Sequence, residues 1–298
     1  MFDVVIVGGG PAGLSAALML GRCRRKVLVC DNGHPRNEAS HAMHGFISRD
    51  GMPPAEFLEV AREELKTYDT VAFRHATVAS AKCQDGTFVT TLEDGEQLRS
   101  RKLLIATGVR DNVPDVEGIQ ELYGRSVFHC PYCDGWEIRD QPIAIYGRGE
   151  RGYGLSLELT AWSRDLVLCS DGPCELEDGR VERLRRNGIT IREERISRLE
   201  GDAGILQRIV FSDGGSIERR AMFFTTGQSQ QSELANGLGC TINEKGTVMT
   251  GKYETTHLRG LFVAGDASRA VQWVVVAAAE GAEAAFAINT DLIKEDLQ

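Results

Sequence analysis

Apolar and polar residues follow two regimes along this chain. Runs of four to six apolar residues read as strands buried on both faces, and apolar residues three or four apart read as helices. Asp3-Val4-Val5-Ile6-Val7 is a run of the first kind. Leu14, Ala17, Leu18 and Gly21 then keep helical spacing, and Lys26 to Asp31 is apolar again, so residues 3–31 predict strand, helix, strand. Pro53-Pro54 opens a predicted helix over 55–67, with Phe57, Leu58, Ala61 and Leu65 on one face. From Val71 to Arg101 the pattern is a β meander, turning at Asp85-Gly86 and Asp94-Gly95. Leu103-Leu104-Ile105-Ala106-Thr107-Gly108 is a further buried strand whose small terminal residues suit close approach to a ligand. Residues 109–118 read as a linker.

The plan then repeats. Ile143–Tyr146 is a strand, Leu155, Leu157, Leu159 and Trp162 lie on a helix, and Leu166–Cys169 is the next strand. A second meander turns at Gly201-Asp202 and Asp213-Gly214-Gly215, and Met222 to Gly227 echoes Leu104 to Gly108. The copies are 139 residues apart, so the repeat is of a whole domain and not a short solenoid unit. After a linker near 237–246, an apolar strand ends in Ala264-Gly265-Asp266, and a long helix is predicted over 271–289.

Each copy carries Gly-x-Gly-x-x-Gly between its first strand and helix: Gly8-Gly9-Gly10-Pro11-Ala12-Gly13, and Gly147-Arg148-Gly149-Glu150-Arg151-Gly152. In the first, Gly8 permits a tight turn, Gly10 lets backbone amides approach a pyrophosphate, and Gly13 lets helix pack on strand. Asp31 ends the second strand, where a carboxylate can accept from a ribose diol. Strand, glycines, helix, strand and acid in that order are far more specific than glycines alone, and they predict a dinucleotide site. The His-rich loop from His34 to Phe46 is expected to lie over that nucleotide, with Asn37 and His44 at the cofactor.

Charge and cysteine content narrow the function. The 298 residues carry a formal net charge of −9. That argues against nucleic acid or an anionic membrane as partner. A strand almost at Met1 leaves no room for a signal peptide, and the apolar run Trp273–Ala279 is too short for a span, so a cytoplasmic protein is expected. Eight cysteines are too sparse for a disulfide scaffold. Cys169 and Cys174 match zinc spacing poorly, and His41 and His44 lack a Cys or acid at ligand spacing, so no metal is expected. Only Cys130-Pro131-Tyr132-Cys133 has tight spacing. A Cys-x-x-Cys turn closes a small disulfide ring, and its lowered thiol pKa favours exchange.

Taken with Ala106-Thr107-Gly108, Cys133-Asp134-Gly135 and Gly265-Asp266 before the last helix, these motifs resemble the low-molecular-weight thioredoxin reductase family. The resemblance covers essentially the whole chain. It implies an α/β fold of two Rossmann-like, three-layer ββα nucleotide-binding domains, the second inserted into the first: residues 1–114 with 245–298 for FAD, and 115–244 for a nicotinamide nucleotide and the dithiol. It implies FAD held by Gly8, Gly10, Pro11, Ala12, Gly13, Asp31, Thr107, Gly108, Gly265 and Asp266, with Gln272, Trp273 and Val274 beside the flavin. It further implies Cys133 as the thiol nearest the flavin, Cys130 as the interchange thiol and Asp134 as general acid/base. The partner implied is a thioredoxin-like protein or a small dithiol or disulfide, and the assembly a homodimer. Cys-Pro-Tyr-Cys also resembles glutaredoxin, but that chain is short and lacks the glycine fingerprints.

Three departures from the family pattern bear on the electron donor. A His-Arg-Arg stretch that would hold a 2′-phosphate is replaced by Leu168-Cys169-Ser170-Asp171-Gly172, where Asp171 would repel it. Two arginines and a glutamate crowd the second fingerprint. An Arg-Gln pair before the last helix becomes Gln272-Trp273, whose indole could stack on the flavin face that nicotinamide needs. NADPH is therefore disfavoured, leaving NADH or a non-nicotinamide donor. The direction of electron flow stays open between a reductase, a dithiol oxidase using oxygen, and a redox sensor whose flavin is structural.

Overall fold

The computed structural model describes all 298 residues. The chain enters on β1 (Phe2–Val7), passes through α1 (Pro11–Arg22) to β2 (Val27–Asp31), and continues by α2 (Pro54–Leu65) to β3 (Val71–His75). A meander follows: β4 (Val78–Gln84), β5 (Thr87–Leu92) and β6 (Gln97–Ile105). Strands β2, β1 and β6 are parallel neighbours, with β3 parallel on the far side of β2. On the edge away from β1, β6 serves two partners. Its first residues pair antiparallel with β5 through Phe88↔Ser100, and its last three, Leu103–Ile105, run parallel to a late strand.

Next come β7 (Val109–Asp111), α3 (Ile119–Leu122), β8 (Val127–Phe128) and α4 (Pro131–Asp134). Then β9 (Ile143–Tyr146), α5 (Gly149–Glu158), β10 (Leu166–Cys169), α6 (Asp178–Arg186) and β11 (Thr190–Arg192) build a second parallel sheet, ordered β11-β10-β9. β12 (Ile196–Asp202), β13 (Ile205–Phe211) and β14 (Ser216–Glu218) form an antiparallel meander, after which β15 (Ala221–Phe224) inserts between β9 and β8. β16 (Gln228–Gln230) pairs with β7. The chain ends with α7 (Leu234–Gly237), β17 (Leu261–Val263), which is the late partner of β6, and α8 (Val274–Asp296).

The chain divides into two units: Met1–Glu38, Gly45–Arg110 and Gln228–Gln298; and Ala39–His44 with Asp111–Gly227. Each buries both faces of its parallel sheet. In the first, Val4 and Ile6 of β1 face α1 and α8, packing with Leu14, Ala17, Leu20, Ala284 and Ile288. Val5 and Val7 face the other way, onto Phe88, Leu103, Leu234 and Cys240. That is why β1 reads as an unbroken apolar run. In the second unit, Ala144 faces Leu199, Ile209 and Phe211 of the meander, while Ile143 and Ile145 face Leu155, Leu159 and Leu184 of the helices.

The units differ in boundary from the sequence expectation. The return crossing falls at 227/228, not 244/245. Leu234, Ala235 and Cys240 are buried against the first unit's sheet, and that burial keeps residues 228–244 with it. The turn expected at Gly201-Asp202 lies two residues on, at Ala203-Gly204, with φ of 50° and 84°. The last helix starts three residues later and ends seven residues later than its pattern predicts. No helix is long and apolar enough to cross a membrane.

Candidate active site

In the first unit, the turn from β1 to α1 is built by backbone contact. Gly8 has φ 109°, and a Cβ there would lie 2.3 Å from the Ala106 carbonyl oxygen. A Cβ on Gly13 would lie 1.9 Å from the carbonyl oxygen of Gly8. Neither position admits another residue. Gly10 is different: nothing stands within 4 Å of its would-be Cβ. The space over Gly10 is thus the open side of the turn, where the helix start faces outward.

Asp31 ends β2 with both oxygens engaged. Oδ1 accepts the Gly9 N–H at 3.0 Å, and Oδ2 faces Arg62 Nη2 at 2.9 Å. Around the turn lie the other predicted residues of this unit. Gly265, with φ 76°, sits on Ala12, its would-be Cβ 2.9 Å from that methyl. A Cβ on Gly108 would be 4.0 Å from Asp266 Cβ. Asp266 and Gln272 are tied together by a residue the sequence did not single out. Arg36 Nη1 donates to Asp266 Oδ2 at 2.9 Å and to Gln272 Oε1 at 2.7 Å. Gln272 Nε2 in turn donates to the Asp266 carbonyl at 3.1 Å. Asn37 follows Arg36 in the same half-buried loop, and Trp273 caps α8, whose first residue is Val274. The Thr107 hydroxyl is buried without a protein partner. Open space at Gly10, a glycine turn facing it and an orphaned hydroxyl beside that turn fit a dinucleotide such as FAD.

His44 falls outside this group. The segment Ala39–His44 belongs to the second unit, where a Cβ on Gly124 would lie 2.6 Å from the Ala39 carbonyl oxygen. There His44 Nε2 stands 3.6 Å from Glu137 Oε1, near Asp134.

The second unit carries the dithiol. Cys130 caps the short helix α4, Pro131 supplies its first residue, and Cys130 and Cys133 form a disulfide with Cα atoms 5.3 Å apart. Asp134 N–H donates to the Cys130 carbonyl at 3.2 Å, and Gly135 N–H to that of Pro131 at 2.8 Å. Gly135 is fixed by its neighbour: a Cβ would lie 2.9 Å from the Trp162 ring. Tyr132 meets Trp162 edge-on with centroids 5.4 Å apart. Burial pushes the Asp134 carboxyl up to about 7, with the Glu137 carboxylate adding to it and His44 opposing. A carboxyl that holds or yields a proton at neutral pH therefore follows directly after Cys133.

The second fingerprint keeps the glycine turn of the first. A Cβ on Gly152 would lie 2.7 Å from the Gly147 carbonyl, matching the Gly13–Gly8 contact. Its open side, however, is filled by the chain itself. Gly149 N–H donates to the Cys174 carbonyl at 2.9 Å. Arg148 folds across, its Nε donating to Ser170 O at 2.6 Å and its Nη2 to the Asp171 carbonyl. The Asp171 carboxylate accepts Ile196 N–H at 2.7 Å and the Tyr146 hydroxyl at 3.0 Å.

Comparison with known proteins agrees with this geometry. The model of the pyridine nucleotide-disulphide oxidoreductase family matches residues 2–281. The chain belongs to that family. Within it, the chain is thioredoxin reductase-like. It is 31% identical to thioredoxin reductase sirT of Leptosphaeria maculans, over all of this chain and 96% of that one. The crystal structure of HlmI is 34% identical, with TM-score 0.94, covering 99% of this chain and 94% of that one. An oxidoreductase of Agrobacterium tumefaciens is 32% identical, with TM-score 0.91 and 98% of both chains covered. This family member is a flavin-dependent disulfide oxidoreductase with a vicinal Cys130–Cys133 pair.

Proposed function

We propose that this chain moves electron pairs between FAD and external thiols through Cys130 and Cys133, without NADPH as donor. One observation carries the second part. The Gly149 amide, which a nicotinamide dinucleotide's pyrophosphate would need, is spent on the Cys174 carbonyl. The Asp171 carboxylate is likewise spent within the protein. With that entry closed, a dithiol is the natural source of electrons.

In this reading Gly8, Gly10, Gly13, Thr107, Gly108, Gly265 and Asp266 hold FAD, with Arg36 locking Asp266 to Gln272. A substrate thiolate attacks Cys130 Sγ, the Cys130–Cys133 bond breaks, and Cys133 leaves as a thiolate. Asp134, holding a proton near pH 7, governs whether that sulfur stays charged. The second substrate thiol attacks the mixed disulfide at the substrate's sulfur, so the substrate leaves oxidised and Cys130 leaves as a thiolate. Two electrons now rest on the protein pair. Bound FAD supplies their acceptor, and dioxygen is the terminal oxidant. Tyr132 and Trp136, 59% and 64% exposed, give the incoming thiol compound an aromatic surface beside the disulfide.

A second reading runs the pair the other way, reducing a thioredoxin-like protein at the cost of NADH or another donor. The likeness to a thioredoxin reductase of Leptosphaeria maculans favours it. Both readings take the protein as a cytoplasmic homodimer. Anaerobic mixing of the yellow holoprotein with dithiothreitol, NADH and NADPH in turn separates them. Bleaching by dithiothreitol alone is expected. Bleaching by NADH supports the second reading, and equal or faster bleaching by NADPH would overturn the proposal.

A further inference from the structure

The apolar face of α8 is interrupted by one buried acid. Glu280 is 6% exposed, its Oε2 accepts Gly265 N–H at 2.8 Å, and its Oε1 meets Arg269 Nε at 2.6 Å. The other arm of Arg269, Nη2, pairs with Glu254 Oε1. Glu254 is fully buried, and its second oxygen takes the Thr250 hydroxyl at 3.3 Å. Two buried carboxylates thus share one guanidinium.

The backbone is bent to achieve this. Tyr253 and Glu254 have φ of 57° and 62°, two successive non-glycine residues in the left-handed region. Each is strained and persists only where its surroundings enforce it. That bend delivers Glu254 to Arg269. The other end of the cluster holds the Gly265 amide, in the turn that rests on Ala12 and precedes Asp266. Nothing in the thiol chemistry above uses these three side chains.

We infer that Glu280 is a positioning residue of the FAD site: with Arg269 and Glu254 it clamps the Gly265–Asp266 turn, and its protonation loosens that turn's hold on FAD. The inference rests on FAD as the bound flavin but not on which thiol or nucleotide feeds it. The charged groups facing Glu280 are Arg269 and Glu254, and Glu283 lies on the Glu254 side of the cluster. Burial first, and then Glu254, push Glu280 up to about 7. Above that pH the carboxylate makes a charge-assisted bond to Gly265 N–H and pairs with Arg269. Below it, the neutral acid accepts weakly and Arg269 is left to Glu254.

The test is release of FAD from diluted holoprotein, read as the rise of free-flavin fluorescence between pH 5.5 and 8.5. The native protein should release FAD about fivefold faster at the acid end, with a transition near neutrality. Glu280→Gln, which keeps a carbonyl acceptor without charge, should release at the native acid-end rate throughout. Glu254→Gln, which removes the carboxylate raising Glu280, should move the transition to lower pH. A native rate that is flat across the range, or a Glu280→Gln protein that keeps the native profile, would overturn the inference. Either result from a yellow protein leaves the thiol reading standing, whereas a protein that never holds flavin would end both.

Discussion

The Gly149 amide donates to the Cys174 carbonyl at 2.9 Å, so the second glycine fingerprint is closed by its own chain. The first fingerprint has no such plug: Gly10 faces open space. In the proposed reading, two copies of one motif have diverged in what they hold. Gly147 and Gly152 survive in the second copy for packing, since Gly152 must touch the Gly147 carbonyl for α5 to seat on β9, and Gly149 for its φ of 53°.

Asp171 should accordingly matter for folding and not for nucleotide. Asp171→Ala leaves Ile196 N–H and the Tyr146 hydroxyl without their acceptor. It should cost roughly 2 kcal/mol and lower Tm by several degrees. Bleaching of the flavin by dithiothreitol, measured well below Tm, should be unchanged. A fully stable variant that has instead lost a nicotinamide interaction would refute the plugged site.

The two kinds of glycine in the first fingerprint predict opposite outcomes. Gly13→Ala places a methyl 1.9 Å from a carbonyl oxygen and should prevent folding. Gly10→Ala meets no protein atom, so Tm of the flavin-free protein should hold while FAD affinity falls about tenfold or more. Fluorescence titration with FAD checks the second. Undiminished affinity in Gly10→Ala would show that the open side is not where the cofactor lies.

Asp134 sets a pH dependence whose sign is opposite to that of an ordinary paired acid. Its folded pKa is about 7 against 3.8 for the free group, with burial the main cause. Between those values the folded state carries a proton that the unfolded state lacks, so stability falls as pH rises through the window. The contribution is at most about 1.4 kcal/mol per pH unit. Urea unfolding of the oxidised protein at several pH values from 5 to 8 should show this fall, and Asp134→Asn should make it shallower, leaving the same-signed share of Glu280, which burial also raises to about 7. The same variant should slow dithiol turnover about a hundredfold at pH 7. An unchanged slope in Asp134→Asn would place the buried proton elsewhere.

Much of this was legible in the sequence because it is local. The fingerprints, Asp31 and Cys130-x-x-Cys133-Asp134 impose backbone and chemical demands within a few residues; the fingerprints and Asp31 sit on the elements their pattern predicted, and the cysteine pair opens a short helix where a turn was expected. What was hidden depends on distant partners. Arg36 meets Asp266 across 230 residues and looked like one more polar loop residue. Glu280 read as the end of an apolar run, although it is buried on Gly265. His44 sits in a loop that reads as cofactor cover, yet packing of Ala39 on Gly124 carries it to the dithiol's unit. The unit boundary was misjudged for a related reason: the glycines at 237–246 look like a linker, while Leu234 and Cys240 anchor that stretch to the first sheet. The turn at Ala203-Gly204 escaped because alanine rarely takes φ of 50°.

The claim on which the account turns is that Cys130 and Cys133 are the only route between external thiols and the flavin. Anaerobic stopped-flow mixing of dithiothreitol with native, Cys130→Ser and Cys133→Ser holoproteins tests it most directly. Only the native flavin band should bleach, with Cys130→Ser showing a thiolate–flavin charge-transfer band that Cys133→Ser lacks. Bleaching of Cys133→Ser at the native rate would contradict it.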